Sequence, residues 1–329
     1  MGEYSLVFAR EAYAELVCAT APGRCVCVNS SVELLSAMLR RGPTVAFVDS
    51  VLLPQLAGAT TSVPIVGIID ETRADAVRTL HTDPWLSHLV TASMLSSPAG
   101  RVYLATALER VRYGPESQVL GATGIGRAAL LAHSRRREHR FERMREFFAA
   151  HGVSNRTIAA ISDVAEELVT NALYDAPHEA GTFKHAVERT RDVELPPDKA
   201  CEISYGIEHG SAFVRVRDPF GALTRRRLIH VLERCSAASG VHLDESRGGA
   251  GLGLWRVFSV ASTIAVAVIP GTLTDILVRV DATGGRVRPL RAIHLFLPQD
   301  NAIGVVAGRF AADHDDDLLD ESFTAFHVA

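Results

Sequence analysis

The sequence lacks the marks of a membrane or secreted protein. No apolar run reaches the roughly 18 residues that a membrane-spanning helix needs, and the apolar stretch from Val257 to Ile269 is shorter and contains Ser and Thr. The N-terminus has no basic region followed by an apolar core and a small-residue cleavage site. We therefore expect a cytoplasmic protein without a membrane span.

Cysteine is scarce and the charges nearly balance. The five cysteines are an odd number, and Cys25 and Cys27 lie too close together on one predicted strand for a normal disulfide. A reduced setting is the simplest interpretation, and no second cysteine cluster accompanies the pair as a zinc site would require. The formal net charge of −4 gives no support for direct nucleic-acid binding through bulk charge.

The chain is long enough for two domains. Its composition of 47% hydrophobic and 22% charged residues is typical of globular proteins. A chain of 329 residues is too long for one ordinary domain. We predict a first domain over 1–115, a linker and basic helix over 116–150, a second domain over 151–300, and a tail with an acidic end over 301–329.

Short apolar runs alternate with helical patterns in the first domain. The predicted strands are Ser5 to Ala9, Arg24 to Asn29, Thr44 to Asp49, Val63 to Asp70 and Leu86 to Thr91. The predicted helices are Ser31 to Arg41, with Ser30 or Ser31 as its N-cap, Thr72 to Leu80, and Arg101 to Arg112. Continuously apolar strands are buried on both faces, as in a parallel sheet covered by helices. The pattern predicts a doubly wound α/β domain.

That layout resembles the receiver domain of two-component response regulators. Asp49 ends the third strand, where a receiver carries its phosphoacceptor. The acidic pair that binds magnesium in receivers is absent from VFAREAYA, which offers only Glu11, and the lysine of the fifth strand is absent from LVTASML. Without these groups nothing neutralises an incoming phosphoryl group. We predict a receiver-like docking or dimerisation module in which Asp49 caps the next helix.

A basic segment, LLAHSRRREHRFERMREFF, follows the predicted linker. We predict that it is helical from Leu130 onward. Such a run is typical of a solvated helix face, and a contact with a second copy of the chain or an acidic partner is the alternative. Neither His133 nor His139 stands directly before a Glu with a later Pro, which is the context of a phosphoacceptor histidine.

Two polar residues share one face of the next predicted helix, which Ser154 or Asn155 caps and which runs to about Tyr174. Glu167 and Asn171 are four residues apart, so their side chains lie one turn from each other. Asn is unfavourable inside a helix because its side chain competes for backbone hydrogen bonds. A divalent ion is a good reason for Asn171 to be there.

Two further motifs complete a nucleotide site. The strand VRVRDPFG ends on Asp218, and the glycine-rich turn GGAGLGLW opens a helix. Glycines let backbone N–H groups approach phosphate oxygens, and a helix N-terminus favours negative charge. An acid and an amide for a metal, a strand-end aspartate and a glycine turn together indicate nucleotide binding.

This series of motifs resembles the GHKL ATPases, which include gyrase, Hsp90, MutL, histidine kinases and the anti-sigma serine kinases. Glu-x-x-x-Asn-Ala, the strand-end aspartate and Gly-x-Gly-Leu-Gly-Leu occur in the family's order. The resemblance covers about Ser154 to Val280 and extends to a closing strand, Arg291 to Leu297. It implies a GHKL-type α/β sandwich, the Bergerat fold, and is most similar to the anti-sigma serine kinases.

The resemblance also implies roles. Asn171 would bind Mg²⁺ and tie it to the ATP phosphates, Glu167 would be the general base or water-orienting carboxylate, and Asp218 would accept a hydrogen bond from the adenine amino group. The phosphate loop and first glycine box would comprise Gly221, Arg247, Gly249, Gly251, Leu252 and Gly253, with Arg225, Arg226 and Arg227 as further candidates for a phosphate contact.

The first glycine box departs from the family pattern. The family reads Asp-x-Gly-x-Gly, whereas Phe220 and Ala222 replace the two glycines here and Gly221 lies between them. We therefore expect the loop beneath the adenosine to run differently while Asp218 keeps its role.

The expected function is that of a signalling protein that binds ATP and Mg²⁺. The resemblance favours a serine/threonine protein kinase of anti-sigma type that acts on a protein partner, such as an anti-sigma antagonist-like or response-regulator protein. A non-catalytic ATP-dependent regulatory or scaffold protein is the alternative, and a histidine-kinase-like protein is less favoured. Pairing into a homodimer stays open.

Overall fold

A twelve-stranded mixed sheet forms the centre of this α/β protein in a computed structural model. The predicted α/β class is therefore confirmed. The structure describes residues 4–21, 23–40, 42–59, 63–70, 72–97, 100, 102–104, 107–108, 111, 125–208, 210–237, 252–282, 289–297 and 324–326. Within these ranges, no helix has the length and apolar character needed to cross a membrane.

The N-terminal half contributes five parallel strands in the order β2-β1-β3-β4-β5. They are β1 Tyr4–Phe8, β2 Arg24–Cys27, β3 Pro43–Asp49, β4 Ile65–Ile69 and β5 His88–Thr91. The helices between them are α1 Glu11–Thr20, α2 Ser31–Met38, α3 Arg73–Thr82 and α4 Ala92–Ser96, with a 3₁₀ turn at Ser50–Leu56. The helix predicted over Arg101 to Arg112 falls on a segment that is described only in part.

Both faces of this parallel sheet are buried, as its continuous apolar strands predicted. In β1, Leu6 and Phe8 join one hydrophobic core, whereas Val7 joins the core on the opposite face. Ser30 caps α2, since its hydroxyl accepts a hydrogen bond from the Glu33 amide at 3.1 Å. Helix α1 was not among the predicted helices, because its buried positions do not form a regular stripe.

The C-terminal half continues the sheet in the order β12-β6-β7-β8-β10-β9-β11. Its strands are β6 Ile125–Leu131, β7 Cys201–Glu208, β8 Ser211–Asp218, β9 Thr263–Ile269, β10 Leu273–Asp281, β11 Ala292–Phe296 and β12 Thr324–Phe326. Its helices are α5 Arg137–Ala150, α6 Asn155–Thr170, α7 Ala176–Glu179, α8 Arg225–Ala237 and α9 Leu252–Val260. Strands β9 and β10 form an antiparallel hairpin.

Strand β11 joins the two halves. It runs parallel to β9 on one side and antiparallel to β5 on the other. Arg225 of α8 strengthens the junction, because its guanidinium donates to the Leu86 carbonyl oxygen at 2.7 Å and to that of Leu80 at 3.3 Å. The predicted boundary at residue 115 lies outside the described residues and stays a prediction.

The start of the basic helix was predicted wrongly. Leu130 and Leu131 belong to strand β6, where they pair with Glu202 and Cys201, and helix α5 begins only at Arg137. In the sequence the two leucines fit the apolar spacing of the helix that follows, but their pairing with the distant strand β7 makes them part of a strand. Within the predicted tail, Thr324–Phe326 form strand β12, which pairs antiparallel with β6. The acidic stretch of the tail lies outside the described residues.

Candidate functional site

A cleft opens between helix α6 and the face of the C-terminal sheet. It holds about 650 Å³ of empty space, its open mouth included. Three residues predicted from sequence line it, namely Glu167, Asn171 and Asp218. Most of the remaining lining is apolar. It comes from α6 and the turn after it, from α8 and the loop before it, and from α9, β8 and β10: Leu168, Ala172, Val216, Leu223, Val231, Leu254 and Ile276.

Helix α6 positions the first two of these residues. The Ser154 hydroxyl accepts a hydrogen bond from the Thr157 amide at 3.2 Å and so caps the helix, as predicted. The predicted apolar face is buried against the sheet: Ile158, Ile161, Val164, Ala165, Leu168 and Ala172. Glu167 and Asn171 therefore lie at the edge of that face, where they reach the cleft instead of solvent.

The helix widens where it meets the cleft. Residues Asn171–Asp175 form a single π-helical turn before α7, in which the Ala176 amide donates to the Asn171 carbonyl oxygen. Pro177 has no amide hydrogen and its ring would clash with the carbonyl four residues back, so a regular α-helix cannot continue through it. Such turns are frequent at functional sites. Asp175, which the sequence analysis did not select, also lines the cleft.

Asp218 lies at the end of β8 and is 7% exposed. Its carboxylate accepts a hydrogen bond from the Phe220 amide at 3.0 Å. Burial raises the pKa of Asp218 to about 6, and the hydrogen bonds from Phe220, Thr274 and Gly221 only partly oppose that rise. A buried acceptor amid apolar side chains is suited to a planar base that donates one hydrogen bond.

The altered glycine box is explained by packing. Phe220 is buried, and Gly221 has a φ of +58°, a conformation that favours glycine. A Cβ at Gly221 would lie 2.1 Å from the Ile269 carbonyl oxygen. This loop therefore packs against the β9–β10 turn behind Asp218.

The second glycine segment meets Glu167. Gly253 lies in the first turn of α9, which begins at Leu252, and a Cβ at Gly253 would lie 1.6 Å from the Glu167 carboxyl carbon. Burial raises the pKa of Glu167, while the nearby Arg189 and a hydrogen bond from Asn171 oppose the rise. Arg247, Gly249 and Gly251 lie outside the described residues.

Gly253→Ala should move the Glu167 side chain without unfolding the protein. The new methyl group would displace the Glu167 carboxylate, which is the end of a flexible side chain and can move. We expect the free energy of unfolding to change by less than about 1 kcal/mol, because Ala is otherwise favoured over Gly in a helix. Denaturant titration checks the stability and a crystal structure of the variant checks the position of Glu167, and an unmoved Glu167 carboxylate would contradict the prediction.

The three consecutive arginines differ in their surroundings. Arg225 is buried and binds the carbonyl groups of Leu80 and Leu86, so it supports the junction between the halves and is not a phosphate contact. Arg227 lines the cleft and forms an ion pair with Glu179, and Arg226 is exposed. Successive helical residues point in different directions, which is why sequence alone did not separate them.

Arg189 is a second site residue, after Asp175, that sequence reasoning missed. It comes from the long segment after α7, and its Nη2 lies 2.9 Å from Asp175 Oδ2. The same nitrogen donates to Asn171 Oδ1 at 3.3 Å, and Nη1 lies 3.6 Å from Glu167 Oε2. The sequence offered no signal for it, because nothing in a long loop indicates where the loop folds back.

The residues around Asn171 are paired with one another and do not fit a resident Mg²⁺. The predicted metal ligand, Asn171 Oδ1, accepts a hydrogen bond from Arg189, and both nearby carboxylates pair with the same guanidinium. No group of three or more His, Cys, Asp or Glu side chains in the described ranges is arranged to hold a metal ion.

Asp49 in the N-terminal half is also paired with an arginine. It is fully buried, and its Oδ2 lies 2.5 Å from Arg10 Nε. The carboxylate also accepts a hydrogen bond from the Val51 amide at 3.3 Å, so it caps the 3₁₀ turn after β3, in agreement with the predicted capping role. Arg10 thus follows β1, where a receiver would hold acids.

Acetyl phosphate should not phosphorylate Asp49. In that reaction the Asp49 carboxylate and the negatively charged phosphoryl group must approach each other, which needs a metal ion between them. The carboxylate is already paired with the guanidinium of Arg10. We expect no mass gain of one phosphate on this residue with acetyl phosphate and magnesium, by peptide mass spectrometry. A magnesium-dependent gain that maps to Asp49 and disappears in Asp49→Asn would contradict this prediction.

Comparison with known proteins gives no direct assignment. No protein-family model matches the sequence, and no curated protein matches it.

Proposed function

We propose that this chain is a cytoplasmic ATP-binding signalling protein that transfers a phosphoryl group to a serine or threonine of a protein partner. The observation that carries the proposal is the meeting of Glu167, Asn171 and Asp218 in one cleft. They come from separate segments of the chain, and an unrelated set of polar residues would have no reason to line the same cavity.

The architecture supports the family resemblance. Helix α9 contacts both α6 and α8 beside a mixed sheet, and Gly253 lies in the first turn of α9, which is the arrangement expected of a GHKL-type sandwich. The order β2-β1-β3-β4-β5 with helices on both faces supports the doubly wound, receiver-like interpretation of the N-terminal half.

The chain's own residues would divide the chemistry among them. Asp218 would accept the hydrogen bond of the adenine amino group, and the apolar lining would bury the base. Glu167 would take the proton from the partner's hydroxyl group. The hydroxyl oxygen would then bond to the γ-phosphorus of ATP while the bond between that phosphorus and the β,γ-bridging oxygen breaks and ADP leaves. Burial raises the pKa of Glu167, which suits a general base near neutral pH.

One observation favours a second candidate, a non-catalytic ATP-dependent regulator. Arg189 forms an ion pair with Glu167, which lowers the affinity of the carboxylate for a proton and so opposes a role as general base. Incubation of the purified protein with γ-labelled ATP and cell lysate separates the candidates. Acid-stable label on a partner supports the serine/threonine kinase, acid-labile label on this chain supports a histidine kinase, and binding without transfer supports the regulator.

A further inference from the structure

We infer that Arg189 is a built-in cation that takes the place of a divalent metal ion at this site, so that the nucleotide it accepts is metal-free. This inference rests on the proposed function for the nature of the ligand. The conclusion that Arg189 takes the place of a metal ion depends only on contacts within the protein. We call Glu167, Asn171, Asp175 and Arg189 the Arg189 cluster.

In this cluster the guanidinium of Arg189 contacts one oxygen of each side chain that could hold a metal ion. One guanidinium contacts Asp175 at 2.9 Å, Asn171 at 3.3 Å and Glu167 at 3.6 Å. A guanidinium is planar, presents five donors and stays charged at any pH that proteins tolerate. A divalent ion among the same oxygens would therefore face a fixed like charge at close range, which is unfavourable.

Arg189 is held in place by its own segment. The Tyr174 hydroxyl donates to the Arg191 carbonyl oxygen at 2.8 Å, and the Val193 amide donates to the Ser134 hydroxyl oxygen at 2.9 Å. Leu195 is buried two residues further on. These anchors bring the backbone back to the cleft, so the Arg189 side chain is 34% exposed while that of Arg191 is 73% exposed.

The surroundings add two further guanidinium groups as phosphate contacts. Glu167 lines both the cleft and a second hollow of about 770 Å³ of empty space, its opening included. Arg137, Arg189 and Arg256 line that hollow beside three carboxylates, those of Asp163, Glu166 and Glu167. Guanidinium groups bind phosphate oxygens through paired hydrogen bonds, so these three arginines supply phosphate contacts at the side of the cleft.

The first experiment measures Mn²⁺ binding to the full chain without nucleotide, by electron paramagnetic resonance. We expect no site in the wild type. Arg189→Gln should gain one, because it releases two carboxylates and an amide oxygen, whereas Arg189→Lys should not. Arg191→Gln is the matched control, since it removes an exposed arginine from the same segment. Binding of Mn²⁺ by the wild type, or no gain in a folded Arg189→Gln, would overturn the inference.

The second experiment measures ATP affinity by calorimetry with magnesium and with EDTA. The wild-type dissociation constant should differ by less than about threefold between the two conditions, and Arg189→Gln should bind roughly tenfold or more weakly in EDTA, the effect of a lost charge-assisted contact. Wild-type binding that needs magnesium would refute metal-free binding, whatever the variants do. If ATP binds in neither condition, the proposed function fails, and the Mn²⁺ measurement still decides the role of Arg189.

Discussion

Asp218→Asn should weaken ATP binding strongly and at the same time stabilise the fold at neutral pH. Loss of a charge-assisted hydrogen bond to the adenine amino group should cost roughly 1.5–3 kcal/mol, or about tenfold to a hundredfold in affinity. Asn keeps the size of the side chain and the oxygen that accepts from the Phe220 amide. Calorimetry on both proteins measures the loss.

The gain in stability follows from the buried charge. Folding raises the pKa of Asp218 from 3.8 to about 6, so the folded state holds its proton more tightly than the unfolded state. That contribution to stability is fully present below about pH 4 and is lost as the pH rises through about 6. At pH 7 the wild type should therefore carry a penalty of about 2–3 kcal/mol that the Asn variant lacks.

Denaturant unfolding across a pH series checks this expectation. The stability difference between Asp218→Asn and the wild type should grow from about pH 4 to pH 6 and stay constant above about pH 7. Asp198→Asn, at an exposed position, is the control and should show no such trend. Equal ATP affinity in the wild type and in Asp218→Asn would refute the adenine contact. A difference in the free energy of unfolding that does not change with pH would refute the buried charge.

Glu167→Gln should abolish phosphoryl transfer and leave ATP binding nearly unchanged. The amide has the shape of the carboxylate and can keep its place against Gly253, but it cannot accept the hydroxyl proton. Loss of a general base typically costs about a hundredfold to ten-thousandfold in rate. Single-turnover transfer from γ-labelled ATP, together with calorimetry, separates the rate of transfer from affinity.

Glu146→Gln provides the matched control for that experiment. It changes the same residue type on α5, where the side chain is 67% exposed and lines neither the cleft nor the second hollow. We expect full transfer activity in this variant. Full activity in Glu167→Gln as well would show that the carboxylate of Glu167 is not the base and would favour the regulator over the kinase.

Local patterns in the sequence determined the elements that carry the site. A spacing of four residues on a helix places Glu167 and Asn171 on one face. The apolar stripe beside them packs on the sheet, which places the two polar residues at the edge of the sheet contact. The Ser154 cap and the strand that ends at Asp218 are likewise encoded within a few residues. These features depend on helical and strand periodicity, which neighbouring residues alone establish.

The tertiary structure decided which distant residues meet. Leu130 and Leu131 became a strand because β7 was available to pair with them, β11 joined both halves into one sheet, and Arg225 turned toward that junction. Arg189 reached Glu167 only because its loop folds back on the cleft. Such contacts depend on how loops close and cores pack, and neither is encoded in the short-range spacing of residues.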